Sequence, residues 1–283
     1  MKTINIIGAG KLGKTLGYLF QHKNCFKLQC ILNKTELSAK IAYNFIGAGE
    51  VVSGFKCLKK ADVYLLSVPD DQITSVCQQL VAEHNIPKDS IVFHCSGALP
   101  STQLMLAKQA GAYVASIHPV FSFSMPEKAI IDLTGSVCTL EGDLDACQFL
   151  SAIFIKIGMK PVEIQAINKL VYHASLVMAG NYSVVLMAAA MQGLEQAGIS
   201  NEEAKQMLHP MVMHAMTQAF AVGPLAALTG PLVRGDYQLV AQELQALAER
   251  DQSLALLYRE LGQYALKLLD EGNLHDNSLY PIS

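Results

Sequence analysis

The sequence predicts a two-part protein, an α/β half built on a doubly wound, mostly parallel sheet followed by an all-α half. Three observations carry this. Short β-rich apolar runs alternate with helical patterns up to about residue 165, the signature of successive βαβ units. Glycines in G-x-G-x-x-G spacing (Gly8, Gly10, Gly13) stand between the first such run and the first helical pattern. From residue 166 the β-branched runs disappear, and Ala, Met, Leu and Gln dominate. The expected domains are therefore 1–165 and 166–283.

Taken in order, "TINIIG" reads as a strand, 11–22 as a helix, "KLQCILN" as a second strand and 36–46 as a second helix. "DVYLLSV", "SIVFHC" and "AYVASIH" are three further strands, separated by helices over 70–83 and 101–109. A loop containing Pro119 and Pro126 follows, then "GSVCTLEG" and "KPVEI" as strands flanking a helix over 143–157. The second half reads as helices over 166–197, 201–221, 236–248 and 251–270, with Gly198 ending the first and Ser200 or Asn201 capping the next.

Composition narrows the function. The 283 residues are 51% hydrophobic and 16% charged, with 24 acids against 21 bases and a net charge of −3. Those charges are scattered without blocks, so the chain carries no footprint for nucleic acid or an anionic membrane, and a small molecule is the expected partner. Seven cysteines, an odd number with no C-x-x-C, suit reduced thiols and a cytoplasmic location. The glycines and Lys11 interrupt the N-terminal apolar run too early for a signal peptide. The charge-free run from Leu170 to Gly193 is long enough to span a bilayer, but His173, Asn181, Ser183 and Gln192 would each be costly there. It is read instead as a helix buried between other helices or in a subunit interface, which makes a homodimer through the helical domain the expected assembly. His209 and His214 lie five apart, off one helix face, so no metal site is expected.

The glycine motif asks for a dinucleotide. Gly8 allows the tight turn, Gly10 lets the backbone approach a pyrophosphate, Gly13 permits close helix–strand packing, and the helix N-terminus faces the anion. Ala9, Lys11 and Leu12 complete the loop. The second strand ends in Asn33-Lys34-Thr35, where an NAD site would offer a carboxylate to the ribose. A Lys beside Asn and Thr suits a 2′-phosphate, so NADP(H) is favoured over NAD(H), with a simply solvated Lys34 as the other reading. Ser67, Val68 and Pro69, at the carboxyl edge of the sheet, form the third cofactor contact, and Asp70 and Asp71 are helix-start acids.

The fingerprint, "SVPDDQI", "HCSGALPSTQL", "ASIHPVFSF", "KLVYHASLVMAGNY" and "ALTGPLVRGD" together resemble the Rossmann-like proteins with a DUF2520 C-terminal domain, and the resemblance covers nearly the whole chain. That group is described as NADP oxidoreductases. Its distant relatives include pyrroline-5-carboxylate reductase, the 3-hydroxyisobutyrate and 6-phosphogluconate dehydrogenases, and ketopantoate reductase. The resemblance implies a helical second domain like that of 6-phosphogluconate dehydrogenase. It also implies a Lys and, four residues later, an Asn on the first long helix of that domain; the spacing falls here on Lys169 and His173. Lys169 would then donate a proton or hydrogen bond to the substrate oxygen, with His173 orienting the substrate. The replacement of Asn by His departs from the relatives' pattern. The plainer readings are a Lys reaching solvent and a His bonded to a backbone carbonyl.

The remaining polar candidates follow. Ser96 and Gly97 end a strand and are similar to a substrate-carboxylate loop of the hydroxyacid dehydrogenases, Ser96 with a catalytic role and Gly97 as a substrate contact. His118, before Pro119, resembles the His-Pro of prephenate dehydrogenase-like relatives; it is either catalytic or a strand-end cap. Asn181 and Arg234 are assigned to substrate, although Arg234 and Asp236 could instead pair locally and cap a helix. Cys95 has no general base placed beside it. The sequence thus reads as an NADP(H)-dependent oxidoreductase acting on C=O or C=N of a small, carboxylated metabolite, with a non-catalytic NADP(H)-binding sensor as the alternative.

Overall fold

The computed structural model describes residues 1–275, which divide into two compact units, Met1–Val177 and a second beginning at Met178. The first unit is an eight-stranded sheet in the order β3-β2-β1-β4-β5-β6-β7-β8. Its strands are β1 (Thr3–Ile7), β2 (Lys27–Leu32), β3 (Glu50–Val52), β4 (Val63–Leu66), β5 (Ile91–His94), β6 (Tyr113–Pro119), β7 (Val137–Gly142) and β8 (Lys160–Glu163). The pairings are parallel except that of β6 with β7, which is antiparallel. Helices α1 (Lys11–His22), α2 (Glu36–Ile46), α3 (Ile73–His84), α4 (Met105–Gln109), α5 (Pro126–Asp132) and α6 (Leu144–Lys156) connect them.

The continuous apolar runs of the central strands follow from burial on both faces. Alternate residues feed opposite layers: Ile4, Ile6, Leu65 and Phe93 enter one core with Leu16, Phe20 and Phe154, while Ile7, Tyr64, Leu66 and Val92 enter the other with Cys77, Leu80 and Leu104. The one polar residue inside β1, Asn5, sits where the β1/β2 register shifts. It offers Oδ1 to the Cys30 N–H and donates Nδ2 to the Lys59 carbonyl, which satisfies the break in the ladder.

Three local expectations change. Strand β3, only three residues long at the sheet edge, gave no readable periodicity. The stretch read as a loop after Pro119 contains α5, which Pro126 opens from the first helical turn. The run 166–197 is not one helix: a tight turn at Ala166–Asn168 leads into α7 (Lys169–Val177), a wide π-turn at Met178–Tyr182 contains Gly180, and α8 (Ser183–Gln196) follows. Helix α7, placed by sequence at the head of the helical half, lies in the first unit.

The second unit continues with α9 (Asn201–Val222), α10 (Pro224–Ala227), α11 (Tyr237–Ala248) and α12 (Gln252–His275). Ser200 caps α9 in a reciprocal box with Glu203, and Asp236 caps α11 through the Leu239 N–H. Little apolar surface is covered here. Ala204 and Ala255 are the buried apolar residues of this unit among those described, whereas Val184, Val185, Met211 and Phe220 are exposed. The stretch Ala166–Gln196 is long and apolar enough by composition to cross a membrane, and none of its most apolar window is buried within the chain. The expectation that neighbouring helices of the same chain bury it is therefore corrected.

Candidate active site

The glycine loop fits a dinucleotide pyrophosphate on its own geometry. Gly8 has φ +87°, and a Cβ there would lie 2.5 Å from Val68 Cγ1. A Cβ on Gly13 would lie 2.2 Å from Ser67 Oγ and 2.7 Å from the Gly8 carbonyl, while one on Gly10 would meet nothing within 4 Å. Crowding fixes the outer two glycines, and open space lies over the middle one. No side chain caps α1, and its first turn carries no acid, so the N–H groups at Lys11, Leu12 and Gly13 remain as anion donors. Asn33 Oδ1 accepts the Ala9 N–H at 2.6 Å, and Ser67 donates its hydroxyl to the Gly8 carbonyl at 2.7 Å; these two side chains hold the loop's shape. Thr35 caps α2 through the Ser38 N–H, and Glu36, the first acid after β2, is ion-paired with Lys40. Lys34 is exposed and makes no ion pair among the described residues.

A second cluster forms at the carboxyl edge of β5 and β6 through the antiparallel β6/β7 pairing. Ser116 faces Glu141, and His118 faces Thr139. Because side chains alternate across a strand, these two pairs lie on one sheet face, two residues apart. Helix α7 crosses that face with Lys169, Tyr172 and His173, at i, i+3 and i+4. Lys169 meets the first pair: Nζ donates to Ser116 Oγ at 2.6 Å and to the Ser96 carbonyl at 2.9 Å, with Glu141 Oε1 at 3.8 Å. Tyr172 meets the second pair: its hydroxyl lies 2.8 Å from His118 Nδ1 and accepts from Thr139 Oγ1 at 3.1 Å. His173 and His118 close on Gly97, where a Cβ would lie 2.7 Å from His173 Cδ2 and 2.9 Å from His118 Cε1. Gly97 is therefore glycine because two imidazoles occupy the space of its side chain.

The turn after β5 is held from within. Ser96 Oγ donates to Asp70 Oδ2 at 2.8 Å and accepts the Ala98 and Leu99 N–H groups at 3.2 and 2.9 Å. His94, wholly buried, accepts the Ser96 N–H at Nδ1 and donates Nε2–H to the Pro100 carbonyl. Glu141 takes both the N–H and the hydroxyl of Ser101. Asp70 follows the Ser67-Val68-Pro69 strand end, so its bond to Ser96 ties the cofactor edge to this turn.

Burial sets the electrostatics. Desolvation pulls the Lys169 ammonium below the ordinary lysine range, partly opposed by Glu141. His118 is held down at about 4, first by burial and then by Lys169 and His173; His94 is also at about 4, again chiefly by burial. Both imidazoles are neutral at pH 7. Burial pushes the Cys95 thiol far up, which leaves no thiolate for covalent chemistry.

Of the residues singled out from sequence, Ser96, Gly97, His118, Lys169 and His173 come together. Lys169, expected to donate to a substrate oxygen, is 1% exposed and here donates to the Ser96 carbonyl and Ser116 Oγ, so it braces the turn from inside. Ser96 Oγ is likewise fully engaged. Asp70, expected as a helix-start acid, is the hydrogen-bond acceptor of Ser96. Asn181 and Arg234 lie exposed in the second unit, and Arg234 makes no ion pair with Asp236 among the described residues. Sequence reasoning missed Tyr172, Thr139, Glu141, Ser116 and His94. Two signals were present: Thr139 and Glu141 alternate with Cys138 and Leu140, and Tyr172 lies one turn from Lys169.

The fold is that of a Rossmann-like α/β unit joined to a helical unit. Residues 2–119 match the sequence model of the Rossmann-like domain, and 136–265 match that of DUF2520, a domain of unknown function. The chain thus carries the two domains that its motifs resemble. Among solved structures, it is similar to protein TM1727 from Thermotoga maritima at 27% identity, over 95% of this chain and 99% of that one, with a TM-score of 0.74. A Bacteroides fragilis protein provisionally described as an NADP oxidoreductase shares 20% identity over 93% and 97% of the two chains, with a TM-score of 0.76. A reductive aminase from Aspergillus terreus, in complex with NADPH and ethyl-5-oxohexanoate, shares 18% identity over 94% of each chain, with a TM-score of 0.65. No curated protein matches the chain by sequence.

Proposed function

We propose that the protein is an NADP(H)-dependent oxidoreductase acting on C=O or C=N of a small, carboxylated metabolite. The observation that carries this reading is the convergence of His118 and His173 on Gly97, in a turn that Ser96 and Asp70 tie to the cofactor edge. A sensor that only bound the nucleotide would need no such convergence. When bound, the reduced nicotinamide supplies a hydride. The chain's own part is to hold the cofactor on Gly10 and the α1 N-terminus, to engage a 2′-phosphate with Lys34, and to present the imidazoles to the substrate.

Homodimerisation through the helical unit is supported by its exposed apolar surface, including Val184 at 71% and Phe220 at 91% exposure. A cytoplasmic location is supported by seven cysteines, all free. The test is a fluorescence titration of NADPH and NADH against wild type and Lys34→Ala, followed by assays of NADPH oxidation in the presence of carboxylated carbonyl and imine compounds. NADPH should bind at least several-fold more tightly than NADH, and Lys34→Ala should erase the gap. Failure of both nucleotides to bind would remove the oxidoreductase reading; binding without turnover would favour the sensor.

A further inference from the structure

We infer that Tyr172 is a positioning residue that holds His118 with its proton on Nε2, so that the site donates a hydrogen bond to a substrate oxygen and selects carbonyl compounds over iminium ions. The inference rests on the oxidoreductase reading for its substrate and on geometry alone for its tautomer. A phenol has one proton to give. Thr139 Oγ1 donates into the Tyr172 hydroxyl at 3.1 Å, so the phenol's proton goes to its other neighbour, His118 Nδ1, at 2.8 Å. A neutral imidazole that accepts at Nδ1 carries its proton on Nε2. Nε2 has no protein partner among the described residues, yet it is not among the buried polar atoms left without one, so it faces accessible space.

The surroundings decide which substrate such a donor suits. The charged and titratable groups around His118 are Lys169, Tyr172 and His173 on α7, Glu141 on β7, 3.8 Å from Lys169 Nζ, and Asp70 beside the Ser96 turn, whose carboxylate already accepts from Ser96. Burial keeps the ring neutral, so it offers N–H. As a carbonyl carbon receives hydride, the C=O π pair moves onto oxygen. That oxygen gains negative charge, which the Nε2–H stabilises, and it takes its proton from water. His118 keeps its own proton, because Thr139 ends the chain with no donor behind it to replace one. An iminium nitrogen has no lone pair for Nε2–H to meet.

Histidine-labelled protein without cofactor gives the first reading, by long-range ¹H–¹⁵N correlation, with His118→Gln assigning the resonance. Wild type should show His118 neutral, with the proton on Nε2 alone, from pH 7 down to 5.5; Tyr172→Phe should admit the Nδ1–H form. Thr139→Val, close in shape and without the hydroxyl, should loosen the same preference and carries the test if Tyr172→Phe does not fold. With NADPH, a ketone and a cyclic iminium of matched skeleton should be turned over in favour of the ketone, and Tyr172→Phe should lower the ketone-to-iminium ratio of kcat/KM by about tenfold. A charged or Nδ1–H His118 in wild type, or a preference for the iminium, overturns the inference. Lack of NADPH binding would instead strike the oxidoreductase reading and leave the tautomer result standing.

Discussion

Replacement of Gly97 by alanine puts the largest demand on the site for the smallest chemical change. The added methyl carbon would stand 2.7 Å from His173 Cδ2, 2.9 Å from His118 Cε1 and 3.0 Å from His118 Nδ1. Carbon atoms in contact prefer about 3.5–4.0 Å, so both rings must move by roughly half an ångström or more. His118 cannot swing freely, since Nδ1 is held 2.8 Å from the Tyr172 hydroxyl. Loss of that bond costs about 1 kcal/mol, and overpacking of this kind about 1–3 kcal/mol. A total near 3 kcal/mol corresponds to a fall in Tm of about 6–12 °C for a unit of this size. Displaced imidazoles should lower kcat/KM by about 100-fold, while NADPH affinity, set at the glycine loop, holds. Thermal unfolding and a nucleotide titration on one preparation read both effects. A variant with wild-type Tm and turnover would refute the close approach; one that lost NADPH binding equally would show that the two clusters are not separable.

Further outcomes follow from the buried polar groups. Lys169→Met should destabilise the first unit by about 3 kcal/mol, by leaving Glu141 without its counter-charge and the Ser96 carbonyl with only the longer bond from the Ser116 hydroxyl, as urea unfolding will show. Because folding lowers the Lys169 pKa, the unfolded chain binds more protons at alkaline pH, so wild-type stability contains a term that rises with pH up to the ordinary lysine value; Lys169→Met should lack it. His94 and His118 act in the acid range. Folded values of about 4 against 6.5 contribute stability that is complete above 6.5 and lost as pH falls to about 4, worth about 3 kcal/mol each, and His94→Asn should flatten that acid limb in unfolding curves from pH 4 to 7. Ser96→Ala should cost about 2 kcal/mol and free Asp70, with NADPH affinity unchanged by titration.

The geometry of the glycine loop was legible because its physics is local. Gly8, Gly10 and Gly13 follow one strand and open one helix, so chain order alone carries the turn, the open space and the anion-facing N–H groups. The alternation of β and α runs likewise dictated the parallel sheet. Lys169 and His173 were visible as a polar stripe at helical spacing, but a stripe does not say what it faces.

Tertiary structure decided the rest, and one pairing decided most of it. The antiparallel docking of β7 on β6 brings Glu141 opposite Ser116 and Thr139 opposite His118, partners well separated in the chain. That register turns Lys169 into a buried brace and sets Tyr172, which the sequence did not single out, between Thr139 and His118. Sequence determined which side chains were available and the period at which each element displays them. Only the packed sheet could decide which of them share a face, because strand partners are chosen by the burial of whole apolar layers and not by the polar residues that the choice brings together.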